Sequence, residues 1–367
     1  MEYKKNPTTD NRIHVVHILP TLQFGGAERC VVDLVNHCDR NQFRFTILVL
    51  SNTKPMKEEI TNTDVRIISL PKRGEVSMHL IRDIERALRD ISPDLVHTHL
   101  FDVWGRIAAA HLRLPILTTE HNVTNGDGFL KCCIKRFLNN KSIEYTACSR
   151  AVQTDIENVY GITKPVTVIP YGIDLQRFAA VPPVRAHAPL RYVMIGRFTK
   201  QKGHDIAIRA FGRMQDLPWQ LTIVGDGPLK KTLEDLVRSL GLTERVTILP
   251  STHDIPSVFA THDVLLMPSR WEGLGIVIME AMASGRLVIG SNTGGIPELI
   301  RHGETGYVVP HATPVAWERA VRQSITDWDA FRPVIERAEV YAKEHFGMQH
   351  MVDAYERIYV RLGRKQI

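Results

Sequence analysis

The sequence predicts an α/β protein built from two Rossmann-like domains of parallel sheet. Short runs rich in Val, Ile and Leu alternate with helical patterns of about 10–20 residues, which is typical of parallel strands covered on both faces. The series occurs twice, and a proline-rich break at residues 181–189 separates the two copies. A length of 367 residues also exceeds the size at which one core usually keeps growing. Two domains are therefore expected.

The predicted elements place the domain boundary just before the proline-rich break. Strands are predicted at residues 14–19, 45–50, 65–69, 95–98, 116–120, 167–169, 191–195, 220–224, 246–249, 264–267, 287–290 and 306–308. We assign residues 1–173 to the first domain and 174–345 to the second, and we expect a C-terminal helix at about 346–367 to pack back onto the first. Parallel open sheets bind ligands beyond the carboxyl ends of their strands. Functional residues are therefore expected in the loops that follow the strands.

The bulk composition excludes several classes of protein. Hydrophobic residues make up 44% and charged residues 23%, as in ordinary globular domains, and no apolar run approaches the ~18 residues of a membrane span. The polar N-terminal residues predict no secretory leader. Five cysteines without metal-ligand spacing favour a reduced, cytoplasmic compartment. The net charge of +6 is spread over both halves, which argues against a nucleic-acid partner.

One basic segment stands out, at residues 131–141 (KCCIKRFLNNK). It carries four basic residues, no acidic residue and several apolar ones. An amphipathic basic helix of this kind can rest on anionic lipid headgroups at the inner face of the cell membrane. The alternative is a helix whose apolar side lies in the core and whose charges are solvated.

Two glutamates flank the start of an apolar helix in the stretch SRWEGLGIVIMEAMASGR, residues 269–286. Glu272 is expected in the loop before the helix and Glu280 about two turns into it, which separates the carboxylates by up to ~12 Å. That span suits a ligand with hydroxyl groups at both ends and a charged middle, which a helix N-terminus would favour. A nucleotide-diphosphate sugar has this shape. A surface helix with two solvated glutamates is the alternative.

Four glycine-rich junctions follow predicted strands and resemble phosphate-binding turns. They read FGGAER at 24–29, GRFTKQKG at 196–203, VGDGP at 224–228 and SNTGGIPE at 291–298. Glycines let the backbone approach an anion closely, and the second junction adds Arg197 and Lys202. In the third, Pro228 is predicted to begin the next helix. Neither a G-x-G-x-x-G fingerprint nor a Walker A loop is present, which weakens an oxidoreductase or P-loop assignment.

These motifs, together with EGLGIVIME at 272–280 and GGIPEL at 294–299, resemble the retaining GT-B glycosyltransferases of family 4 over nearly the whole chain. The resemblance implies a GT-B fold, with two Rossmann-like domains facing across a cleft. It implies that Arg197 and Lys202 hold the donor diphosphate, that Glu280 accepts hydrogen bonds from the ribose hydroxyls, and that Glu272 contacts hydroxyls of the donor sugar.

The same resemblance implies further contacts to the donor. The backbone amides of Gly273, Leu274, Gly275 and Ile276 would lie near the sugar and the phosphate. Gly25 and Gly26 would close over them from the first domain.

The resemblance also assigns a role to one histidine of the first domain. His121 corresponds to the family's active-site histidine, which positions the sugar and stabilises charge in the transition state, and His99 corresponds to a second cleft-lining position. An H-x-H pair at 97–99 could suggest metal, but no third ligand is close in sequence. The D-x-D sequence at 327–329 is interpreted as surface helix capping. We therefore expect no metal and no cofactor, the donor being a substrate.

The implied reaction is transfer of a hexose or N-acetylhexosamine to a lipid-linked saccharide in bacterial surface glycan synthesis. The configuration would be retained without a carboxylate nucleophile, because Glu272 and Glu280 both bind hydroxyls. Tyr171 replaces a common Asn, and residues 249–252 lack the usual glycine near the donor base, where uridine is expected. Two alternatives remain: a small soluble acceptor such as an inositol phosphate or a malate-like molecule, and a non-catalytic nucleotide-sugar-binding protein.

Overall fold

The computed structural model divides into two compact units, and each contains one sheet of parallel strands. The first unit consists of two segments, one up to Gly172 and one from Met348 onwards. The second unit lies between them, from Ile173 to Gly347. The structure describes residues 10–52, 55–70, 78–100, 102–124, 136, 143–184, 189–310 and 312–363.

The first unit has the strand order of a Rossmann fold. Its sheet runs β3-β2-β1-β4-β5-β6-β7, with every neighbouring pair parallel. The strands are β1 (Ile13–Leu19), β2 (Phe43–Val49), β3 (Arg66–Ser69), β4 (Leu95–His99), β5 (Ile116–Glu120), β6 (Ile143–Ala147) and β7 (Thr167–Val168). The described helices are α1 (Gly26–His37), α2 (Met78–Ile91), α3 (Val103–His111), α4 (Arg150–Tyr160) and, at the C-terminal end, α13 (Met348–Gly363).

Strand β6 was not predicted, whereas the other strands of both sheets were predicted to within one or two residues. Its sequence, IEYTA, has only Ile143 and Tyr145 as large apolar residues and includes Glu144 and Thr146. The strand forms because β5 and β7 pair with it on both sides. Pairing with the two neighbouring strands therefore outweighs a weak local strand pattern.

A polar stripe crosses the buried face of the first sheet. The register aligns His17 with His97, His99 with Thr119, and Thr119 with Thr146. Residues aligned across neighbouring strands project to the same face, and all five side chains are buried. Buried polar atoms need hydrogen-bond partners, so this face requires polar groups from whatever covers it.

Helix α13 supplies those partners. It packs against β1, β4 and α1, and its Tyr359 hydroxyl lies 2.9 Å from His97 Nδ1, while the Tyr355 hydroxyl lies 3.2 Å from Thr119 Oγ1. In the middle of the same helix, Glu356 accepts from the Asp39 amide (2.7 Å). These contacts explain why the last helix belongs to the first unit.

The second unit repeats the Rossmann order, with six strands among its described residues. The sheet runs β10-β9-β8-β11-β12-β13, again parallel throughout. The strands are β8 (Leu190–Ile195), β9 (Trp219–Val224), β10 (Val246–Leu249), β11 (Val264–Met267), β12 (Leu287–Ser291) and β13 (Tyr307–Val309). The helices are α5 (Leu175–Ala179), α6 (His204–Gly212), α7 (Lys230–Ser239), α8 (Ile255–Ala260), α9 (Ile276–Ala283), α10 (Ile296–Leu299), α11 (Pro314–Thr326) and α12 (Trp328–His345).

The strand order reverses between β8 and β11, which are hydrogen-bonded neighbours in the sheet. This reversal is the topological switch point, and ligands of open parallel sheets bind in the crevice beyond it. The loops after these two strands carry the second junction and the first of the two paired glutamates.

Within the described ranges, no helix is both long and apolar enough to cross a membrane. The basic segment 131–141 lies outside the described residues except for Arg136. Its guanidinium donates to the carbonyls of Val159 (3.1 Å) and Asn158 (3.3 Å) at the end of α4. A cation at a helix C-terminus satisfies open carbonyls and complements the helix dipole, so Arg136 has a structural role.

Candidate functional site

A cation and a carboxylate meet at the switch point of the second unit. Lys202 Nζ donates to Glu272 Oε2 at 2.6 Å, and Ser269 Oγ donates to the same oxygen at 3.2 Å. Lys202 comes from the loop after β8 and Glu272 from the loop after β11, 70 residues apart in sequence. Glu272 is 8% exposed. The fold thus brings together two of the predicted donor-binding side chains.

Glycines allow these loops to touch. Gly203 has φ +64°, and a Cβ there would lie 2.0 Å from the Pro268 carbonyl oxygen. Gly294 has φ +52°, and a Cβ would lie 1.8 Å from the Glu272 carbonyl oxygen. Both the left-handed backbone and the backbone contact exclude larger residues. The fourth junction therefore supports the loop that carries Glu272.

Arg270 holds the two loops together, although it was not predicted as a site residue. Its guanidinium makes a bidentate pair with Asp205 (2.8 and 2.7 Å) and also donates to the Lys200 carbonyl (3.0 Å), while its amide donates to the Gln201 carbonyl (2.7 Å). The hydrogen bond from Arg270 lowers the pKa of Asp205. The sequence did carry a signal for this role, because Arg270 is an arginine in a loop directly after a buried strand.

Arg270→Ala is expected to loosen the loop that carries Lys202. Removing a partly exposed bidentate pair should lower the unfolding free energy by ~1–2 kcal/mol and weaken nucleotide binding. Arg322→Ala is the matched control, because Arg322 makes a similar bidentate pair with Asp216 on the surface of the same unit. Denaturant unfolding and nucleotide titration measure the two effects. Equal loss of nucleotide affinity in both variants would contradict the role of Arg270.

Helix α9 begins directly after the glycine-rich turn, as predicted. Gly275, its N-terminal cap, has φ +96°, and the helix starts at Ile276. Glu280 is the fifth helical residue and is half-buried. It therefore lies about one helical turn from the start of α9. The predicted position two helical turns in was wrong, because the glycine-rich loop extends to Gly275. The first-turn amides of such a helix are unpaired within it and favour an anion.

Arg197 lies in the same region of the second unit. It is exposed, and none of the described residues pairs with its guanidinium. The site thus combines an unpaired cation, Arg197, with a paired one, Lys202. A diphosphate could engage the first directly and the second by displacing Glu272.

The third junction packs against the second. A Cβ at Gly225 would lie 2.1 Å from the Gly196 carbonyl oxygen. Asp226 accepts from the Ser251 amide (2.9 Å) and hydroxyl (2.7 Å), which holds the segment that lacks the family's glycine. Pro228 lies in the turn before α7, which begins at Lys230, so its predicted place at the helix start was wrong.

In the first unit, both ring nitrogens of His121 contact residues of that unit. His121 follows β5, and its Nε2 lies 2.9 Å from His99 Nδ1 and its Nδ1 2.8 Å from the Tyr171 hydroxyl. Burial lowers the pKa of His121 to about 3, so the ring is neutral at physiological pH. A hydrogen bond from this ring to a ligand would have to replace one of these two contacts.

The predicted glycine pair lies beside a carboxylate. Helix α1 begins at Gly26, with Gly25 as its extended cap. Thr21 Oγ1 donates to Glu28 Oε1 (2.8 Å), and a Cβ at Gly25 would lie 2.4 Å from Glu28 Oε2. The N-terminus of α1 thus already has an acidic neighbour, which the sequence prediction overlooked.

Among the described residues, His17, His97 and His99 have ring nitrogens within 4.8 Å of one another. The sequence offered no third ligand for the H-x-H pair, because His17 comes from β1. The D-x-D sequence lies at the surface, and Asp327 is the N-terminal cap residue of α12, as predicted, but its side chain makes no capping hydrogen bond. Asp329 pairs with Arg332 (3.1 Å).

Comparison with known protein families agrees with this geometry. A family described as "Glycosyltransferase Family 4" matches residues 24–177, and one described as "Glycosyl transferases group 1" matches residues 182–345. The chain belongs to the group 1, family 4 glycosyltransferases. The family 4 match lies in the first unit and the group 1 match in the second, and together they span nearly the whole chain.

Two curated relatives of this family 4 glycosyltransferase align with about half of their length. N-acetyl-alpha-D-glucosaminyl L-malate synthase of Bacillus anthracis is 36% identical over 46% of this chain and 44% of the relative. A GDP-mannose-dependent alpha-(1-6)-phosphatidylinositol monomannoside mannosyltransferase of Mycolicibacterium smegmatis is 33% identical over 52% of this chain and 55% of the relative.

A solved structure is similar over the full length. HepE of Anabaena, in complex with UDP and glucose, has a TM-score of 0.82 at 20% identity, covering 95% of this chain and 99% of that one. At this identity the likeness establishes the fold alone. The fold of this family 4 glycosyltransferase is GT-B.

Proposed function

We propose that this protein transfers a hexose or N-acetylhexosamine from a nucleotide-diphosphate sugar to a saccharide acceptor. The observation that carries the proposal is the Lys202–Glu272 pair at 2.6 Å, where the loops after β8 and β11 meet. A diphosphate would take Lys202 from Glu272 and would also engage Arg197. Glu272, released from the lysine, would then accept hydrogen bonds from hydroxyls of the sugar. Glu280 would accept from the ribose.

The leaving diphosphate is stabilised in this proposal by charges of the second unit. Arg197, Lys202 and the N-terminus of α9 are cationic or carry partial positive charge, and preorganised groups of this kind stabilise charge that develops in the transition state. We propose that no metal ion is needed and that the anomeric configuration is retained by front-face transfer. His121, Gly25 and Gly26 are proposed contributors on the strength of the family resemblance.

Uridine is the proposed donor base, and a lipid-linked saccharide is the proposed acceptor, in synthesis of a bacterial surface glycan. The UDP bound to HepE supports uridine as the base. The phosphatidylinositol monomannoside named for the mycobacterial relative supports a lipid-linked acceptor. A small soluble acceptor is the second candidate, favoured by the malate acceptor named for the Bacillus relative. The GDP-mannose named for the mycobacterial relative makes guanosine the base to test against uridine.

The donor is tested by thermal unfolding with UDP-glucose, UDP-N-acetylglucosamine and GDP-mannose. A donor at 100 times its Kd adds ~2.7 kcal/mol of stability, which raises Tm. Glu280→Gln should weaken binding of the preferred donor by ~1–3 kcal/mol, since a carboxylate acceptor is lost. Glu336→Gln, at an exposed position on α12, is the control. No increase in Tm with any donor would overturn the proposal.

The preferred donor, in radiolabelled form, is then used in transfer assays. Product that partitions into organic solvent indicates a lipid-linked acceptor, and product that stays in the aqueous phase with malate or inositol phosphate supplied indicates a soluble one. Anomeric coupling in the NMR spectrum of the product reports its configuration. An inverted product would exclude the proposed front-face transfer.

A further inference from the structure

Four buried side chains of the first unit form one continuous hydrogen-bonded chain. His17 Nδ1 lies 3.0 Å from His99 Nε2, His99 Nδ1 lies 2.9 Å from His121 Nε2, and His121 Nδ1 lies 2.8 Å from the Tyr171 hydroxyl. His17 and His99 are fully buried, and His121 and Tyr171 are each 6% exposed. We call these four residues the histidine chain.

Each ring in the histidine chain is neutral. Burial lowers the pKa of His17 and of His121 to about 3 and that of His99 well below its usual value. A neutral imidazole has one N–H and one bare nitrogen, so it donates on one side and accepts on the other. Each link between two rings holds a single proton. The nitrogen that carries the proton at one link therefore determines which nitrogen carries it at the next link.

Only two arrangements satisfy every link. In one, His17, His99 and His121 all carry the proton on Nδ1, and His121 donates to the Tyr171 oxygen. In the other, all three carry it on Nε2, and Tyr171 donates to His121. A mixed set would place two protons, or none, between a pair of rings.

The free end of the chain distinguishes the two arrangements. His17 Nε2 is buried, and no described residue lies within hydrogen-bonding distance of it. The Nε2–H arrangement would leave a buried N–H there without an acceptor, whereas the Nδ1–H arrangement leaves only a lone pair. Unpaired buried N–H groups are the rarer defect in proteins. At the other end, the Tyr171 hydroxyl also interacts with the Cys148 side chain.

We propose that His17, His99 and Tyr171 are positioning residues that act through His121, holding its ring in place with the proton on Nδ1. The tautomer of His121 is thus set by a side chain two links away. The effect on transfer rests on the proposed function, because it requires His121 to take part in the reaction. The tautomer itself does not depend on that function.

NMR of the full chain labelled with ¹⁵N-histidine tests the assignment. Two-bond ¹H–¹⁵N correlations distinguish protonated from bare ring nitrogens, and His17→Gln, His99→Gln and His121→Gln variants assign the signals. We expect one shared Nδ1–H tautomer for the three rings. A mixed set, a shared Nε2–H set or a charged ring at neutral pH would overturn the assignment. So would stoichiometric zinc in the purified protein, held by these nitrogens.

Tyr171→Phe tests the coupling along the chain. It removes the acceptor for the His121 Nδ1–H, so the opposite arrangement should become populated, and the nitrogen signals of His17 and His99 should change together with those of His121. Tyr355→Phe is the matched control. It also removes a buried tyrosine hydroxyl, but this hydroxyl contacts Thr119 and does not belong to the histidine chain. A change confined to His121 in Tyr171→Phe would contradict the coupling.

The kinetic arm uses the preferred donor of the transfer assay. Removing the group that orients a metal-ligating imidazole typically costs about 10–100-fold, and we take that range for the partner of His121. We expect Tyr171→Phe to lower kcat by about that factor with little change in the donor KM, and Tyr355→Phe to leave kcat nearly unchanged. If the tautomers shift as expected but kcat of Tyr171→Phe is unchanged, His121 has no role in transfer. The tautomer assignment of the histidine chain would still hold.

Discussion

Lys202→Ala is expected to lower kcat by about 10²–10³-fold, or ~3–4 kcal/mol of transition-state stabilisation. In the proposed reaction Lys202 neutralises charge on the leaving diphosphate, and no other described lysine lies in its loop except the exposed Lys200. Lys200→Ala is therefore the matched control, since it removes the same charge two residues away. Steady-state rates with the preferred donor, measured well below Tm, compare the two. Similar losses in both variants would contradict a specific role for Lys202.

A double variant separates two causes of that loss. Removing Lys202 also leaves Glu272 with Ser269 as its remaining side-chain hydrogen-bond donor among the described residues, and this carboxylate would then repel a diphosphate. UDP lacks the sugar, so its affinity does not depend on the proposed sugar contact of Glu272. If Lys202 binds the diphosphate, Lys202→Ala/Glu272→Gln should bind UDP as weakly as the single variant. Recovery of UDP binding in the double variant would assign the loss to the unpaired carboxylate.

Gly294→Ala is expected to lower the unfolding free energy by ~3–5 kcal/mol, one of the largest effects a single substitution produces. The left-handed backbone at φ +52° accounts for ~1–2 kcal/mol. The remainder arises because the new Cβ would lie 1.8 Å from the Glu272 carbonyl oxygen, so the main chain of that loop must move. Donor affinity should fall with stability, because Glu272 moves too.

Gly303→Ala isolates the backbone effect. Gly303 has φ +77° in the same unit, and a Cβ there would meet nothing within 4 Å. We expect a loss of only ~1–2 kcal/mol and an unchanged donor affinity. Denaturant unfolding with equal m-values for both variants provides the comparison. Equal losses of stability at the two glycines would show that the contact with Glu272 is unimportant.

Much of the fold could be predicted from the sequence, because parallel strands buried on both faces leave a continuous apolar pattern. The strands that form the switch point of the second unit, β8 and β11, were predicted nearly to the residue. Strand β6 was not, since its Glu144 and Thr146 interrupt that pattern. The place of α13 depended on partners far away in sequence, namely the buried His97 and Thr119 that its tyrosines contact.

The sequence by itself determined the family and the residue types of the candidate site, because glycines, cations and glutamates at set distances after strands form local motifs. Only the tertiary structure decided how they pair. Lys202 contacts Glu272 across 70 residues, and Arg270 joins their loops through Asp205. The histidine chain also arises from the tertiary structure, because β1, β4 and β5 align in register and bring His17, His99 and His121 within hydrogen-bonding distance. Local pattern specifies strands and turns, whereas contacts between distant residues follow from how the strands order themselves in the sheet.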